Sequence, residues 1–265
     1  QLAFTTKNNF YILDRTGRAV APFPIKFRDE ITQGISVFDY DNNRKYRFVI
    51  TQGKEPLMLD SKGKKVKGFR FKKTKSNIVF PPKHFRIKSK DYIIIAEENG
   101  KLNILSRIGK PRVTVSKTFD FSNTPITLEK SKLVVINKDN SKNSIGLDGK
   151  TITNKLKVTS YHFTVKGKTK VTLDDNLMRI NGVLIELPFG IYTAPTISIV
   201  NRKIYISITE TQENKVYVYN KSGSLLSGFP VYATSIIDLG DLTKNGKTNF
   251  VVKGAAKSIL LYEIH

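Results

Sequence analysis

One unit recurs along this chain: a short apolar strand that runs into Asp, Asn or Ser and then Gly. It stands at Ile12-Leu13-Asp14-Arg15-Thr16-Gly17, at Leu57-Met58-Leu59-Asp60-Ser61-Lys62-Gly63 and at Ile104-Leu105-Ser106-Arg107-Ile108-Gly109. It continues as Ile145-Gly146-Leu147-Asp148-Gly149, Met178-Arg179-Ile180-Asn181-Gly182 and Val216-Tyr217-Val218-Tyr219-Asn220-Lys221-Ser222-Gly223, and a seventh strand, Ile259-Leu260-Leu261-Tyr262, ends the series. Successive glycines are 46, 46, 40, 33 and 41 residues apart, and Tyr219 precedes Tyr262 by 43. A repeat of that length holds about four short strands, the unit of a β-propeller blade. The turn has a physical cause, because Asp, Asn and Ser bond their own backbone to start it and Gly supplies the positive φ that closes it.

The strands on either side repeat as well. After the turn come Ala21-Pro22-Phe23-Pro24, Lys67-Gly68-Phe69 and Ser227-Gly228-Phe229-Pro230; proline there suits the outer strand of a blade. Before it come Ile35–Asp39 with Tyr46–Ile50, and Ile236–Leu239 with Asn249–Val252, so a blade order a, b, c, d can be read. No stretch sustains an apolar pattern at helical spacing. The prediction is an all-β chain forming a single β-propeller domain over residues 1–265, with seven blades, or six if the ends share a blade; shorter coils would have favoured an open β-solenoid. Residues 1–27 supply strands b, c and d and residues 235–265 supply a, b and c, from which we expect chain upstream of Gln1. Residues 125–195 are the most degenerate part of the series.

Composition narrows the function. The longest continuous apolar run, Tyr92 to Ala96, is far short of the roughly 20 residues of a membrane span. The absence of cysteine removes disulfides, thiolate metal sites and cysteine nucleophiles. With 45 Lys and Arg against 22 Asp and Glu, the formal charge is +23, so attraction to anionic partners is expected whatever the fold. Lys is scattered through almost every turn, so a solvated basic surface explains the charge equally well.

The apolar strand, the Asp/Asn-x-x-Gly turn and the following Gly-Phe-Pro resemble the repeats of quinoprotein-like and integrin-type (FG-GAP-like) bacterial propellers. Quinoprotein dehydrogenases use tryptophan to dock blades and to stack on the cofactor, and this chain has none. The signatures of WD40 blades and sialidase Asp-boxes are missing for the same reason. The resemblance therefore implies the non-catalytic class, which includes scaffolding subunits of bacterial cell-envelope complexes, with no cofactor. Integrin-type repeats often carry a calcium loop, and Asp39-Tyr40-Asp41-Asn42-Asn43 and Asp241-Leu242-Thr243-Lys244-Asn245-Gly246 are similar to it. Each offers only one or two carboxylates to an ion that takes six to eight oxygens, which favours a plain a–b hairpin turn and no metal.

Few residues invite catalysis. His84, His162 and His265 are isolated in sequence. The neighbouring acids Glu97-Glu98 and Asp174-Asp175 point to opposite faces of a strand and read as solvated turns. Phosphate-binding Gly-rich loops, nucleophile elbows and zinc-protease helices are all lacking. The densest charge is a candidate contact surface: Lys62, Lys64, Lys65, Lys67, Arg70, Lys72, Lys73 and Lys75 enclose Phe69 and Phe71. Basic residues interleaved with aromatics suit single-stranded nucleic acid; an outer edge strand guarded by lysine against edge-to-edge pairing is the favoured alternative. A second patch, Lys166-Gly167-Lys168-Thr169-Lys170, reads as a basic hairpin tip.

The leading expectation is thus a non-enzymatic protein-interaction or scaffold propeller with a protein partner, extracytoplasmic and part of an envelope or outer-membrane complex of a bacterium with low-GC residue usage. The alternative is a module that binds an anionic polymer, nucleic acid or acidic glycan. A glycan-cleaving enzyme ranks last, since the acids are few and scattered.

Overall fold

The computed structural model of the protein describes residues 1–157, 161–255 and 258–264. Among these residues all regular structure is β, in seven small antiparallel sheets, the blades of a seven-bladed β-propeller. The first blade holds β1 (Leu2–Thr5), β2 (Asn9–Leu13) and β3 (Ile25–Lys26), and the second β4 (Ser36–Phe38), β5 (Arg47–Gln52) and β6 (Glu55–Asp60). The third holds β7 (Lys83–Ile87), β8 (Lys90–Ala96), β9 (Leu102–Leu105) and β10 (Pro111–Val113), and the fourth β11 (Thr127–Glu129), β12 (Lys132–Ile136), β13 (Ser141–Ile145) and β14 (Thr151–Lys155). The fifth holds β15 (Tyr161–Lys166), β16 (Thr169–Asp174), β17 (Leu177–Ile180) and β18 (Val183–Glu186). The sixth holds β19 (Thr196–Val200), β20 (Lys203–Glu210), β21 (Lys215–Asn220) and β22 (Val231–Tyr232), and the seventh β23 (Asp238–Gly240), β24 (Thr248–Lys253) and β25 (Ile259–Ile264). No helix among the described residues is long and apolar enough to cross a membrane.

The repeated turn is one structure built five times. At Asp14, Asp60, Ser106, Gly146 and Asn220 the backbone carbonyl accepts the N–H of the glycine three residues on at 2.8–3.2 Å, and that glycine has φ between 72° and 91°. Where the first residue is Asp or Asn its side chain joins in: Asp60 Oδ1 accepts the N–H groups of Lys62 and Lys64, and Asn220 Oδ1 those of Ser222 and Ser224. The fifth copy differs. Asn181 (φ 50°) and Gly182 (φ 96°) form a two-residue hairpin between Ile180 and Val183, which helps shorten that repeat.

The chain clusters into two compact units, one of Gln1–Asp120 with Ile145–Thr151, the other of Phe121–Ser144 with the described part of 152–265. In the first unit, Phe10 and Ile12 of β2 pack with Phe48 and Ile50 of β5, and Val49 and Met58 pack with Ile93, Ile95 and Leu105. In the second, Val171, Leu173, Met178 and Ile180 meet Ile206, Ile208, Tyr217 and Tyr219, and Val216 and Val218 meet Phe250 and Val252. A middle strand therefore has apolar neighbours on both faces. This is why β8 is buried without a break from Asp91 to Ala96 and shows no in-out alternation. The phenylalanine of the post-turn motif fills these seams: Phe23 lies 4.9 Å from Phe10 and Phe229 5.3 Å from Phe250, ring centre to ring centre.

One expected strand is missing. In the second blade no fourth strand forms: Leu59 bridges to Lys65, as Leu13 does to Ala19 and Tyr219 to Leu225 after the turns of the first and sixth blades, and the chain beyond is irregular through Thr74. Phe69 and Phe71 pack into the seam beside Phe38, Met58 and Ile93, as Phe23 with Ile25 and Phe229 with Val231 do into theirs.

Candidate functional site

The eight cations from Lys62 to Lys75 are all exposed, whereas Phe69 and Phe71 are partly buried. The backbone beneath them is well held. Val66 N–H donates to Met58 O, Phe69 N–H to Val66 O, Arg70 N–H to Ile108 O and Thr74 N–H to Lys54 O, while Glu97 accepts the N–H groups of Lys75 and Ser76. The strip thus runs from the turn at one end of β6 to the turn at the other. It lies along the edge strand β6 without forming a strand itself, and because its aromatics face inward it offers no platform for stacking bases.

Glu97 is not the solvated acid expected from sequence. It is 1% exposed, and its carboxylate also accepts the Asn103 side-chain N–H at 2.7 Å. Burial pushes its pKa up, but the bonds from Asn103, Ser76 and Lys75 outweigh this and hold it below the usual value. Glu210, 3% exposed, occupies the same place at the end of the second strand of its blade; Ile78 bridges to Glu97 as Tyr192 does to Glu210. Glu98 bonds Asn77, and Asp175, at φ 55°, sits in a turn.

Glu210 organises the segment that holds Phe189, the most exposed large apolar side chain among the described residues. Its Oε1 accepts the N–H of Ile191 at 3.1 Å and of Gln212 at 3.0 Å, and Oε2 accepts that of Glu213. Burial raises its pKa, and these three backbone donors more than reverse the effect. Thr211 donates both N–H and Oγ1–H to Ile191 O, and Tyr192 donates to Pro188 O at 2.6 Å. The segment so fixed holds Phe189 at 87% exposure and Ile191 at 61%. The next connector lies alongside, since Thr209 bonds Thr193 through its N–H and Ser235 O through its hydroxyl, and there Ile236 is 56% exposed. Tyr232, at the outer strand of the same blade and paired with Lys215, is also exposed. Sequence reading missed this group because a lone Phe in a Pro-Phe-Gly segment has no periodic signal.

His84, isolated in sequence, belongs to a polar network. Its Nε2 lies 2.8 Å from Asp91 Oδ1, Arg107 Nε donates to Asp91 Oδ2 at 2.8 Å, and Arg107 also grips Asp41 with both terminal nitrogens, at 2.7 and 3.0 Å. Arg86 donates to Asp41 at 2.9 Å and to Tyr40 O at 2.7 Å, and the Arg107 guanidinium stacks 4.6 Å over the Tyr40 ring. Burial depresses the His84 pKa against the opposing pull of Asp91, and Arg107 and Arg86 lower that of Asp41. Loop Asp39–Asn43 thereby ties β4 to the next blade, with Asp39 accepting the N–H groups of Asn43 and Arg44. Asp241 does the same for Asn245 and Gly246. The carboxylates of both calcium-like loops are spent on backbone donors and arginines, and among the described residues no three His, Asp or Glu side chains gather for a metal.

The remaining candidates lie apart. His162 Nδ1 is 2.8 Å from Thr124 Oγ1, with its pKa lowered by burial. His265 lies outside the described residues. Gly167, at φ 60°, forms the tip of the β15–β16 hairpin with Lys166 and Lys168 exposed, while Lys170 turns toward Glu129 and the Phe163 ring.

No family profile matches the chain, and no curated protein sequence matches it. Solved structures do. The computationally designed Ika8 protein matches with a TM-score of 0.61 at 12% identity, over 98% of this chain and 79% of the design. BBS1N, solved in complex with ARL6DN, matches at 0.64 and 11%, over 97% of this chain and 86% of its own. BamB from Moraxella catarrhalis matches at 0.52 and 14%, over 98% and 92% respectively. At such identities the likeness is one of fold, and no family match supports either the quinoprotein-like or the integrin-type resemblance.

Proposed function

We propose that this propeller is a non-catalytic scaffold that docks a protein partner, acting outside the cytoplasm in a bacterial envelope complex. The observation that carries the reading is the Phe189–Ile191 segment. A large aromatic side chain exposed to water has a standing cost, and here the backbone that holds it is fixed by a buried carboxylate and two hydroxyls instead of being free to fold it away. A rigid aromatic anchor with a second exposed apolar side chain two residues on is the anatomy of a protein-binding hot spot, since ordering it on binding costs little entropy. The partner presents an apolar pocket to Phe189 and Ile191. Envelope placement rests on the repeat resemblance, and the non-catalytic reading on the use of the carboxylates as backbone acceptors.

The test is capture of the full-length protein from its native cells in mild detergent, wild type beside Phe189→Ser/Ile191→Ser. A stoichiometric protein partner that survives high salt with wild type and is lost with the variant supports the reading. Equal capture by both, or recovery of no stable protein partner, overturns it.

A further inference from the structure

We propose that the Lys62–Lys75 strip is a binding site for a linear acidic polysaccharide, distinct from the apolar docking segment around Phe189. The basic charge of the chain is unevenly placed. The unit of Gln1–Asp120 and Ile145–Thr151 contains 27 of the 45 Lys and Arg but only 12 of the 22 Asp and Glu, which leaves it +15 of the total +23. Within it, Lys62, Lys64, Lys65, Lys67, Arg70, Lys72, Lys73 and Lys75 are exposed, and among the described residues none of these side chains forms an ion pair. Elsewhere cations do find carboxylates: Arg86 and Arg107 reach Asp41, Lys142 reaches Glu129, Lys215 Glu213 and Lys247 Glu263. The acid closest in sequence, Asp60, uses Oδ1 on the backbone N–H groups of Lys62 and Lys64.

Eight like charges on one segment repel one another, and among the described residues no side-chain ion pair relieves this. The fold instead fixes the segment in place. The segment is anchored by four backbone bonds and by the Glu97 carboxylate, and its two phenylalanines are sunk in the seam, so the backbone that carries the cations is fixed before any ligand arrives. The row follows the six residues of β6, about 20 Å at the usual rise of a strand. A narrow strip of that length matches an extended chain with regularly spaced negative groups.

Three features choose the class. Phe69 and Phe71 face inward, so the stacking that single-stranded nucleic acid gains from aromatic platforms is not on offer. Seven of the eight cations are lysine, a compact point charge that attracts anionic groups without fixing their orientation, which suits a flexible polymer with spaced charges. All eight cations belong to one segment of fourteen residues, a small footprint beside the broad face that a lipid surface would engage.

The experiment measures binding of the intact chain to a heparin-type oligosaccharide, to single-stranded and duplex oligonucleotides of equal charge, and to anionic vesicles, across a salt series. The comparison uses Lys64→Glu/Lys67→Glu/Lys72→Glu against a control with the same net charge, Lys203→Glu/Lys221→Glu/Lys253→Glu. All six positions are exposed, so circular dichroism should report an unchanged fold for both. The expected result is salt-dependent binding to the oligosaccharide that falls by about tenfold or more in the strip variant and by no more than about threefold in the control. Equal losses in the two variants would make net charge, not the strip, responsible. Tighter binding to an oligonucleotide or to vesicles, or no binding to the oligosaccharide, would overturn the proposal.

Discussion

Glu210→Gln tests whether a buried carboxylate holds the exposed apolar segment. Glu210 accepts three backbone N–H groups, two at Oε1 and one at Oε2. A glutamine of the same shape has one acceptor oxygen, so if Ile191 and Gln212 keep their bonds the side-chain NH2 faces the Glu213 N–H, donor against donor. Losing the charge weakens the first two bonds, and the third donor must turn to water, which it can do because Glu213 is exposed. The net cost is about 2 kcal/mol, or about 4–8 °C in Tm for a chain of this size. Urea denaturation and calorimetry measure the loss, and hydrogen exchange locates it: the amides of Ile191, Gln212 and Glu213 should exchange faster while the core of β20 does not. The pH dependence has a definite sign. With the folded pKa held below its ordinary 4.5, the stabilisation is complete above that value and is lost as pH falls through the folded pKa, so the gap between wild type and variant stays constant from pH 7 to about 5 and then closes. Equal stability at pH 7, or exchange at Ile191 unchanged, would refute the bracket role.

The recurring turn offers a paired comparison. A Cβ on Gly149 would lie 2.1 Å from Thr114 O, whereas one on Gly17, at nearly the same φ, meets nothing within 4 Å. Gly149→Ala should therefore cost about 3 kcal/mol or more and Gly17→Ala only the 1–2 kcal/mol of left-handed backbone strain, as read by urea denaturation; equal costs would argue against a steric origin. Asp91→Asn removes a buried acceptor shared by His84 and Arg107 and should destabilise by about 2–3 kcal/mol, the half-exposed guanidinium recovering part of its loss from water; a loss under about 1 kcal/mol in denaturation would count against the network. Burial lowers the His162 pKa, so its share of stability is present above 6.5 and lost as pH drops through the folded value. NMR titration should place its midpoint below 6.5, and His162→Gln should flatten that part of the stability profile.

Much of the architecture was legible because it rests on local chemistry. The Asp, Asn or Ser start and the Gly close of the turn at Asp14, Asp60, Ser106 and Asn220 act within five residues, so they mark the hairpins in the bare sequence, and the spacing of the whole series put the blade count at seven or, with shared ends, six. The post-turn phenylalanines were visible as a motif, but their task was not: Phe23, Phe69 and Phe229 serve as seam fillers, and after Phe69 no fourth strand forms where the sequence suggested one. Many of the contacts that define the candidate sites join residues far apart in sequence. Glu97 looks like a turn acid until Lys75 and Ser76, more than twenty residues earlier, bring N–H groups to it, His84 looks isolated until Asp91 pairs with it across the β7–β8 hairpin and Arg107 joins them, and nothing around Phe189 shows that Glu210 will pin it in the open. Turn type and repeat length are decided by each residue's own backbone and its near neighbours, and so are written in the sequence. Burial of a charge, exposure of an aromatic ring and the pairing of an acid with its donors depend on which blades meet, and only the tertiary structure decides that.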